Sequence, residues 1–195
     1  MDKLKPRQLD IMQNLVRMLE KKGPVKVTTA TLAKECGITE AAIYRHFPSK
    51  RKIYSGLVDF CEDSLFNLIA EINSSQDTEL EKIKKICELV IGFCEKNPGM
   101  ARLLTREAFT VDEASVEERI NQIFSKIEIQ IKQLLQKYEQ QTKKKFSLPV
   151  STCANLFMVN TEGLIQQFVR SGFNEKISSK SKDHLNFFIA NLLKN

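Results

Sequence analysis

Apolar residues recur three and four positions apart along almost the whole chain, and no segment sustains the alternation of a β-strand. That spacing places apolar side chains on one face of an α-helix. Glycine and proline number 7 and 5 among 195 residues, so 12 in all, which suits helices better than a turn-rich β fold. The pattern predicts an all-α fold in which helices pack on helices around a common core.

Start and stop signals divide the chain into about nine helices, of which the first three are short. An apolar stripe from Leu9 to Leu19 marks the first helix. Thr29 is the expected N-cap of the second helix, Thr39 that of the third, and Ser49 opens a long fourth helix. Later helices are expected near residues 49–72, 80–94, 100–105, 150–168 and 185–192, with a helix of about 27 residues around 120–138.

The formal charge of +6 is concentrated in the first quarter of the chain. Residues 1–52 hold 12 Lys and Arg against 5 Asp and Glu (+7), and the remainder holds 18 against 19 (−1). A basic unit of this kind suits a polyanion such as DNA, although a solvated face would carry the same charge. We therefore expect a DNA-binding domain over residues 1–48, here called the head, and a helical body over residues 49–195.

Two short helices joined by Cys36-Gly37-Ile38 have the spacing of a helix-turn-helix, with Gly37 supplying a left-handed turn. The second helix is small at Ala41 and Ala42, which would let it approach bases in the major groove. Ile43 and Phe47 are expected to face inward. The expected contacts with double-stranded DNA are Thr28, Thr29, Thr39, Glu40, Ala41, Tyr44, His46 and Lys50.

Several of these contacts have a plainer interpretation. Thr28 and Thr29 could serve only as caps, Tyr44 and His46 could pack against the next helix, and Lys50 could be only a solvated cation. The run TTATLAKECGITEAAIYRHFPSK nevertheless resembles the DNA-binding domain of TetR-family regulators, including the Y-x-H-F ending and the following S-K. That resemblance covers about residues 8–55. It implies nine or so helices, a homodimer and, usually, a ligand pocket in the body.

Three body segments resemble the nucleoid-occlusion factors of the TetR family: GFCEKNPGMARLLTREAF, RINQIFSKIEIQIKQLL and EGLIQQFVRSGF. This resemblance implies a protein that, when bound to DNA, antagonises polymers of the tubulin-like division GTPase FtsZ. It also implies a groove for the FtsZ C-terminal tail. The positions that match the tail site are Phe60, Leu89, Gly92, Lys96 and Asn97.

One position departs from that pattern, since Leu68 stands where those factors have an arginine. Without the resemblance, Phe60 and Leu89 would be core, Gly92 would be an interhelical packing glycine, and Lys96 would belong to a basic helix end. The rival function is a ligand-responsive TetR-type transcriptional repressor. Few polar residues interrupt the predicted helix cores, which modestly favours a body without a ligand pocket.

Two body helices carry a second surface. Leu156, Gly163 and Gln167 lie beside the main stripe of 150–168, and Phe187 and Leu193 lie beside that of the last helix. Two such helices from each protomer would bury these faces in a four-helix bundle, unless both faces are intramolecular core. A two-fold dimer would set its recognition helices roughly 34 Å apart and require a near-palindromic DNA site.

Signals for catalysis, metals and membranes are missing from the sequence. Two histidines, His46 and His184, lie far apart, and no nucleotide-binding or nucleophile motif occurs. The five cysteines are scattered within apolar patterns, as buried thiols would be. No apolar run approaches the roughly 18 residues that span a bilayer, and no signal core follows Met1. We expect a non-enzymatic protein without cofactor, metal or membrane contact, in the cytoplasm and at the nucleoid.

Overall fold

The computed structural model describes residues 4–23, 27–109 and 114–192, and within these ranges the chain forms nine helices. The prediction of an all-α fold is therefore confirmed. The first helix is longer than expected, at 15 residues. The helices are α1 Pro6–Glu20, α2 Thr29–Glu35, α3 Glu40–His46, α4 Lys50–Ser74, α5 Glu79–Lys96, α6 Pro98–Leu104, α7 Ala114–Thr142, α8 Val150–Arg170 and α9 Ile177–Leu192.

Threonine or serine side chains cap the starts of α2, α3 and α4. The expectation for Thr29 is wrong, because Thr28 is the N-cap of α2: its hydroxyl accepts a hydrogen bond from the Thr31 amide at 3.1 Å, and its own amide donates to the Thr31 hydroxyl at 2.9 Å. The other two caps are confirmed. Thr39 accepts from the Ala42 amide at 3.2 Å, and Ser49 accepts from the Lys52 amide at 3.3 Å.

The turn between α2 and α3 depends on Gly37, which has φ 64°. The Gly37 amide donates to the Lys34 carbonyl at 3.2 Å, and the Ile38 amide donates to the Ala33 carbonyl at 3.0 Å. This paired arrangement is a Schellman motif, which ends a helix and needs a left-handed residue. The left-handed turn predicted at Gly37 is confirmed, and it fixes the angle between α2 and α3.

In the body, α5 lies at the centre and contacts α4, α7, α8 and α9. One continuous cluster of buried apolar side chains runs from the head into this body. Cys61, Cys87, Cys94 and Cys153 belong to it, and Cys36 is half-buried. Burial raises the pKa of the Cys61 and Cys87 thiols to about 12, so they stay protonated and inert at neutral pH.

Two helix boundaries differ from those expected. Helix α6 begins at Pro98, two residues before the expected start at residue 100, and α9 begins at Ile177 rather than near Leu185. Leu193, predicted to extend the apolar face of α9, lies outside the described residues. Within the described ranges, no helix has the length and apolarity to cross a bilayer, and no cluster of His, Cys, Asp and Glu is arranged to hold a metal ion.

Candidate nucleic-acid interface and partner groove

The outer face of α3 combines small and polar side chains. Thr39, Glu40, Ala41 and Tyr44 are exposed, and Tyr44 keeps 50% of its surface accessible. On the inner face Ile43 and Phe47 are buried, as predicted. The two faces differ because each apolar side chain lies about one helical turn from the next. Helix α3 can therefore present its first turn and Tyr44 to a ligand without losing core contacts.

Tyr44 is also tied to α2. Its hydroxyl lies 3.3 Å from the hydroxyl of Thr29, within hydrogen-bonding distance. Thr28, by contrast, uses its hydroxyl to cap α2. The two threonines therefore have different roles, and Thr29 and Tyr44 together form a pair of hydroxyls on the surface that joins the two helices.

Lys50 and His46 connect this surface to the rest of the head. The Lys50 ammonium donates to the Val27 carbonyl at 3.2 Å and lies 5.8 Å from the centre of the Tyr54 ring. The interpretation of Lys50 as only a solvated cation is therefore wrong. His46 is half-buried, and its carbonyl accepts a hydrogen bond from Gln8 of α1 at 3.1 Å.

An open groove of about 460 Å³ lies between α1, α4 and the start of α6. Phe60 forms one wall with 51% of its surface exposed, so the interpretation of Phe60 as core is wrong. Asn97 lies at one end, where its side-chain amide donates to the Phe93 carbonyl at 2.8 Å. The lining residues are Leu9, Met12, Gln13, Val16, Arg17, Leu57, Phe60, Asn97 and Met100.

The other three predicted partner residues lie on α5 and do not line this groove. Lys96 is exposed in the last turn, and Leu89 is half-buried against the core. A β-carbon added at Gly92 would meet no described atom within 4 Å beyond the adjoining backbone of α5. The interpretation of Gly92 as an interhelical packing glycine is therefore wrong, and its surface is open.

Sequence reasoning missed the wall that α1 contributes to the groove. Leu9 was expected on the buried stripe of α1, yet it is 41% exposed and lines the groove beside the half-buried Val16. Arg17 adds a cation to the same wall. The 3.6-residue period of a helix does not separate a residue in the core from one at a groove rim, so the sequence contained no signal for this wall.

The second surface of α8 and α9 is largely open in the single chain. Val159 and Phe187 expose 58% and 64% of their surfaces, and Leu156 is half-buried. Gly163 is exposed, and an added β-carbon there would meet no described atom within 4 Å outside α8. The interpretation of these faces as intramolecular core does not hold for Phe187. Val159, which the sequence did not single out, adds a further exposed apolar side chain to α8.

Both parts of the chain match known families. Residues 11–57 match the bacterial regulatory proteins of the tetR family, and residues 77–193 match a tetracyclin repressor-like C-terminal domain of the SlmA-like type. The nucleoid occlusion factor SlmA of Marinomonas sp. is 41% identical over 175 residues, which cover 90% of this chain and 89% of that protein. The chain belongs to the SlmA family of TetR-type regulators. A second SlmA, from Shewanella woodyi, is 40% identical over 187 residues, which cover 96% of this chain and 95% of that protein.

Membership of the SlmA family confirms that the chain is a regulator and not an enzyme. Solved structures support the fold alone. The fatty acid degradation regulator FadR of Bacillus halodurans aligns with a TM-score of 0.81 at 15% identity, covering 98% of both chains. FadR of Bacillus subtilis, solved with stearoyl-CoA, aligns with a TM-score of 0.74 at 16% identity and covers 94% of this chain and 98% of its own.

Proposed function

We propose that this SlmA-family chain is a homodimeric nucleoid-occlusion factor that binds double-stranded DNA and, when bound, inhibits assembly of the FtsZ ring over the chromosome. The observation that carries the proposal is the match to nucleoid occlusion factors along both head and body. The proposal includes a location in the cytoplasm, at the nucleoid. The proposed domains are the head, residues 1–48, and the body, residues 49–195.

DNA binding is assigned to the outer face of α3 together with the start of α2 and α4. Ala41 permits close approach to the major groove, while Thr29, Thr39 and Tyr44 offer hydroxyls to phosphates or bases. The net charge of +7 over residues 1–52 supplies the attraction to phosphate. Because phosphate contacts release counterions, affinity should fall steeply as salt rises.

Dimerisation is assigned to α8 and α9. Their exposed apolar side chains, Val159 and Phe187, would be buried in a four-helix bundle, and the open surface at Gly163 would let the partner helix approach closely. A two-fold dimer presents two copies of α3 to one face of the duplex, so its sites should be near-palindromic.

The FtsZ tail is assigned to the groove beside Phe60 and Asn97 and to the adjoining surface of α5. Phe60 supplies apolar contact, Gly92 leaves room for the peptide backbone, and Lys96 supplies a cation for an acidic tail. Because Leu68 is 42% exposed where a cation is expected, the tail should make fewer ion pairs here than in those factors.

The test is FtsZ polymerisation, followed by light scattering after addition of GTP. The protein is first used to select fragments from genomic DNA, and these fragments are then included or left out. We expect strong inhibition with protein and DNA together and weak inhibition with either alone. If polymerisation is unaltered in all cases, and a small molecule is found that lowers the affinity of the protein for DNA, the protein is instead a ligand-responsive repressor.

A further inference from the structure

Arg102 is a buried arginine on α6 with only 5% of its surface exposed. Its guanidinium donates to two backbone carbonyls at the end of α1, that of Leu19 at 2.7 Å and that of Lys21 at 2.6 Å. The last turn of a helix leaves its carbonyls without partners, and the helix dipole makes this end negative. A cation of the body therefore caps the first helix of the head.

The Arg102 guanidinium also contacts Phe173, in the turn between α8 and α9. The ring centre of Phe173 lies 4.8 Å from Arg102 Cζ, in a cation–π contact, and 5.3 Å from the ring centre of Phe168. Phe173 has φ 65°, a left-handed conformation that is strained for a residue other than glycine. Such strain persists only where surrounding contacts hold it. Here the Phe173 amide donates to the Phe168 carbonyl at 3.0 Å.

Two further contacts join the same turn to neighbouring helix ends. Lys22, just after α1, donates from its ammonium to the Asn174 side-chain oxygen at 3.0 Å. Glu95, at the end of α5, accepts hydrogen bonds from the backbone amides of Ile177 and Ser178 at 2.5 and 2.8 Å. The end of α1, the end of α5 and the start of α9 therefore meet at one junction, with the Arg102 guanidinium against α1.

We infer that Arg102 is the positioning residue that sets the orientation of the head on the body, and with it the separation of the two recognition helices in the dimer. Helix α1 packs against both α2 and α3, so fixing the end of α1 also fixes α3. The anchor reaches α9, one of the two proposed dimer helices, through Phe173. This inference rests on the proposed DNA-binding dimer and adds the element that fixes its geometry.

The test compares Arg102→Met with Arg170→Met, which removes an exposed arginine from the end of α8. DNA affinity is measured on palindromic duplexes derived from the selected fragments, with the half-site spacing changed by one or two base pairs. Wild type and Arg170→Met should lose about tenfold or more in affinity off the best spacing, as for a mismatched site. Arg102→Met should bind the best site more weakly than wild type does. Its affinity should fall by less than about threefold at other spacings, because its two heads can change their orientation on the body.

Sedimentation and circular dichroism establish which variants remain folded dimers. A folded Arg102→Met dimer with the spacing preference of wild type would overturn the inference. If Arg102→Met does not fold, Phe173→Leu decides instead, because it removes the ring that packs on the guanidinium and so frees Arg102 to turn away from the Leu19 and Lys21 carbonyls. A flattened spacing preference in Phe173→Leu supports the inference, and an unaltered one overturns it.

Failure of the proposed function can be distinguished from failure of the inference. If wild type selects no DNA, the proposed function fails, and anchoring is then read from hydrogen exchange of the amides at the end of α1. If these amides exchange faster in Arg102→Met than in Arg170→Met, the result supports anchoring. Equal exchange would overturn it. Phe173→Leu takes the place of Arg102→Met if the latter does not fold.

Discussion

Gly99 of α6 packs directly against the backbone of Val16 in α1. A β-carbon at Gly99 would lie 2.9 Å from Val16 Cγ1 and closer still to the Val16 carbonyl oxygen. Since a helix carbonyl cannot turn aside as a flexible side chain can, the absence of a side chain at Gly99 is what lets the head and body approach at this point.

Gly99→Ala should therefore destabilise the protein. Overpacking at a rigid contact costs about 1–3 kcal/mol, which exceeds the gain in helix propensity of about 1 kcal/mol. Chemical denaturation of the purified variant measures the free energy of unfolding. A variant as stable as wild type would contradict the close packing of α1 on α6.

Gly92→Ala is the matched substitution on α5, with the opposite expectation for stability. Its new methyl meets open space, so the variant should gain up to about 1 kcal/mol from helix propensity. If the FtsZ tail lies across this surface, the same methyl should weaken tail binding. Greater stability with unaltered tail affinity would remove Gly92 from the partner site.

Tyr44 and Lys50 test the DNA interface. Tyr44→Phe removes the hydroxyl that lies near Thr29 and should reduce DNA affinity about fivefold, the value of one hydrogen bond of about 1 kcal/mol. Lys50→Ala should weaken binding to all sequences and reduce the slope of log affinity against log salt by about one. Fluorescence anisotropy on selected fragments measures both effects.

The control for both variants is their oligomeric state, and sedimentation should show that each remains a dimer. Unaltered DNA affinity in Tyr44→Phe and Lys50→Ala alike would remove these two residues from the interface. A loss of the dimer would instead mean that the substitution had disturbed the fold, because neither residue lies on α8 or α9.

Phe187 tests the dimer interface. Phe187→Asp would bury a carboxylate without a partner, which costs several kcal/mol, so the dimer should weaken by about 100-fold or more. Sedimentation equilibrium across a concentration series measures the change. Ile129→Asp, on α7 at 54% exposure, is the control and should remain dimeric. Equal dimerisation in the two variants would place the interface elsewhere.

Glu162 should make stability fall as pH rises. Desolvation by burial, with a smaller contribution from Glu128, raises the pKa of its carboxyl above the usual value, although Arg106 opposes the shift. The folded protein therefore holds this proton more tightly than the unfolded chain, and stability declines from about pH 4.3 up to the raised pKa. Glu162→Gln should raise Tm at pH 7 and leave it unaltered below about pH 4.

Glu81→Gln should give the opposite result. Hydrogen bonds from the amide and hydroxyl of Thr78 lower the pKa of Glu81. Its contribution to stability is therefore present at pH 7 and lost as pH falls through the lowered pKa. The variant should have a lower Tm at pH 7 and a smaller difference in acid. If both variants shift Tm in the same direction at pH 7, the assigned environments are wrong.

Helix starts and ends could be predicted from the sequence where residues close in the chain determine them. Thr39 caps α3 through an amide three residues away, and Gly37 ends α2 through its own backbone conformation. Even local reasoning has a limit, since Thr28 and Thr29 are both able to cap and only the position of the first helical turn distinguishes them.

Features that depend on distant residues could not be predicted from the sequence. The start of α9 is capped by Glu95, 82 residues earlier in the chain, so no capping pattern near Ile177 marks it. The α1 wall of the groove and the contact of Arg102 with Leu19 also arise from tertiary packing. An arginine on a short helix is usually expected at the surface, and its burial follows from carbonyls 81 and 83 residues away.

The central claim is that one dimer joins DNA binding to FtsZ binding. Its most direct test is the anisotropy of a labelled FtsZ C-terminal tail peptide, titrated with the protein alone and with its selected DNA, in wild type, Lys96→Glu and the charge-matched control Lys132→Glu on α7. We expect the tail to bind wild type and Lys132→Glu, and to bind both more tightly when DNA is present. It should bind Lys96→Glu at least about tenfold more weakly. All three proteins should keep the same affinity for DNA. A tail that binds none of the three proteins, with or without DNA, would contradict the account.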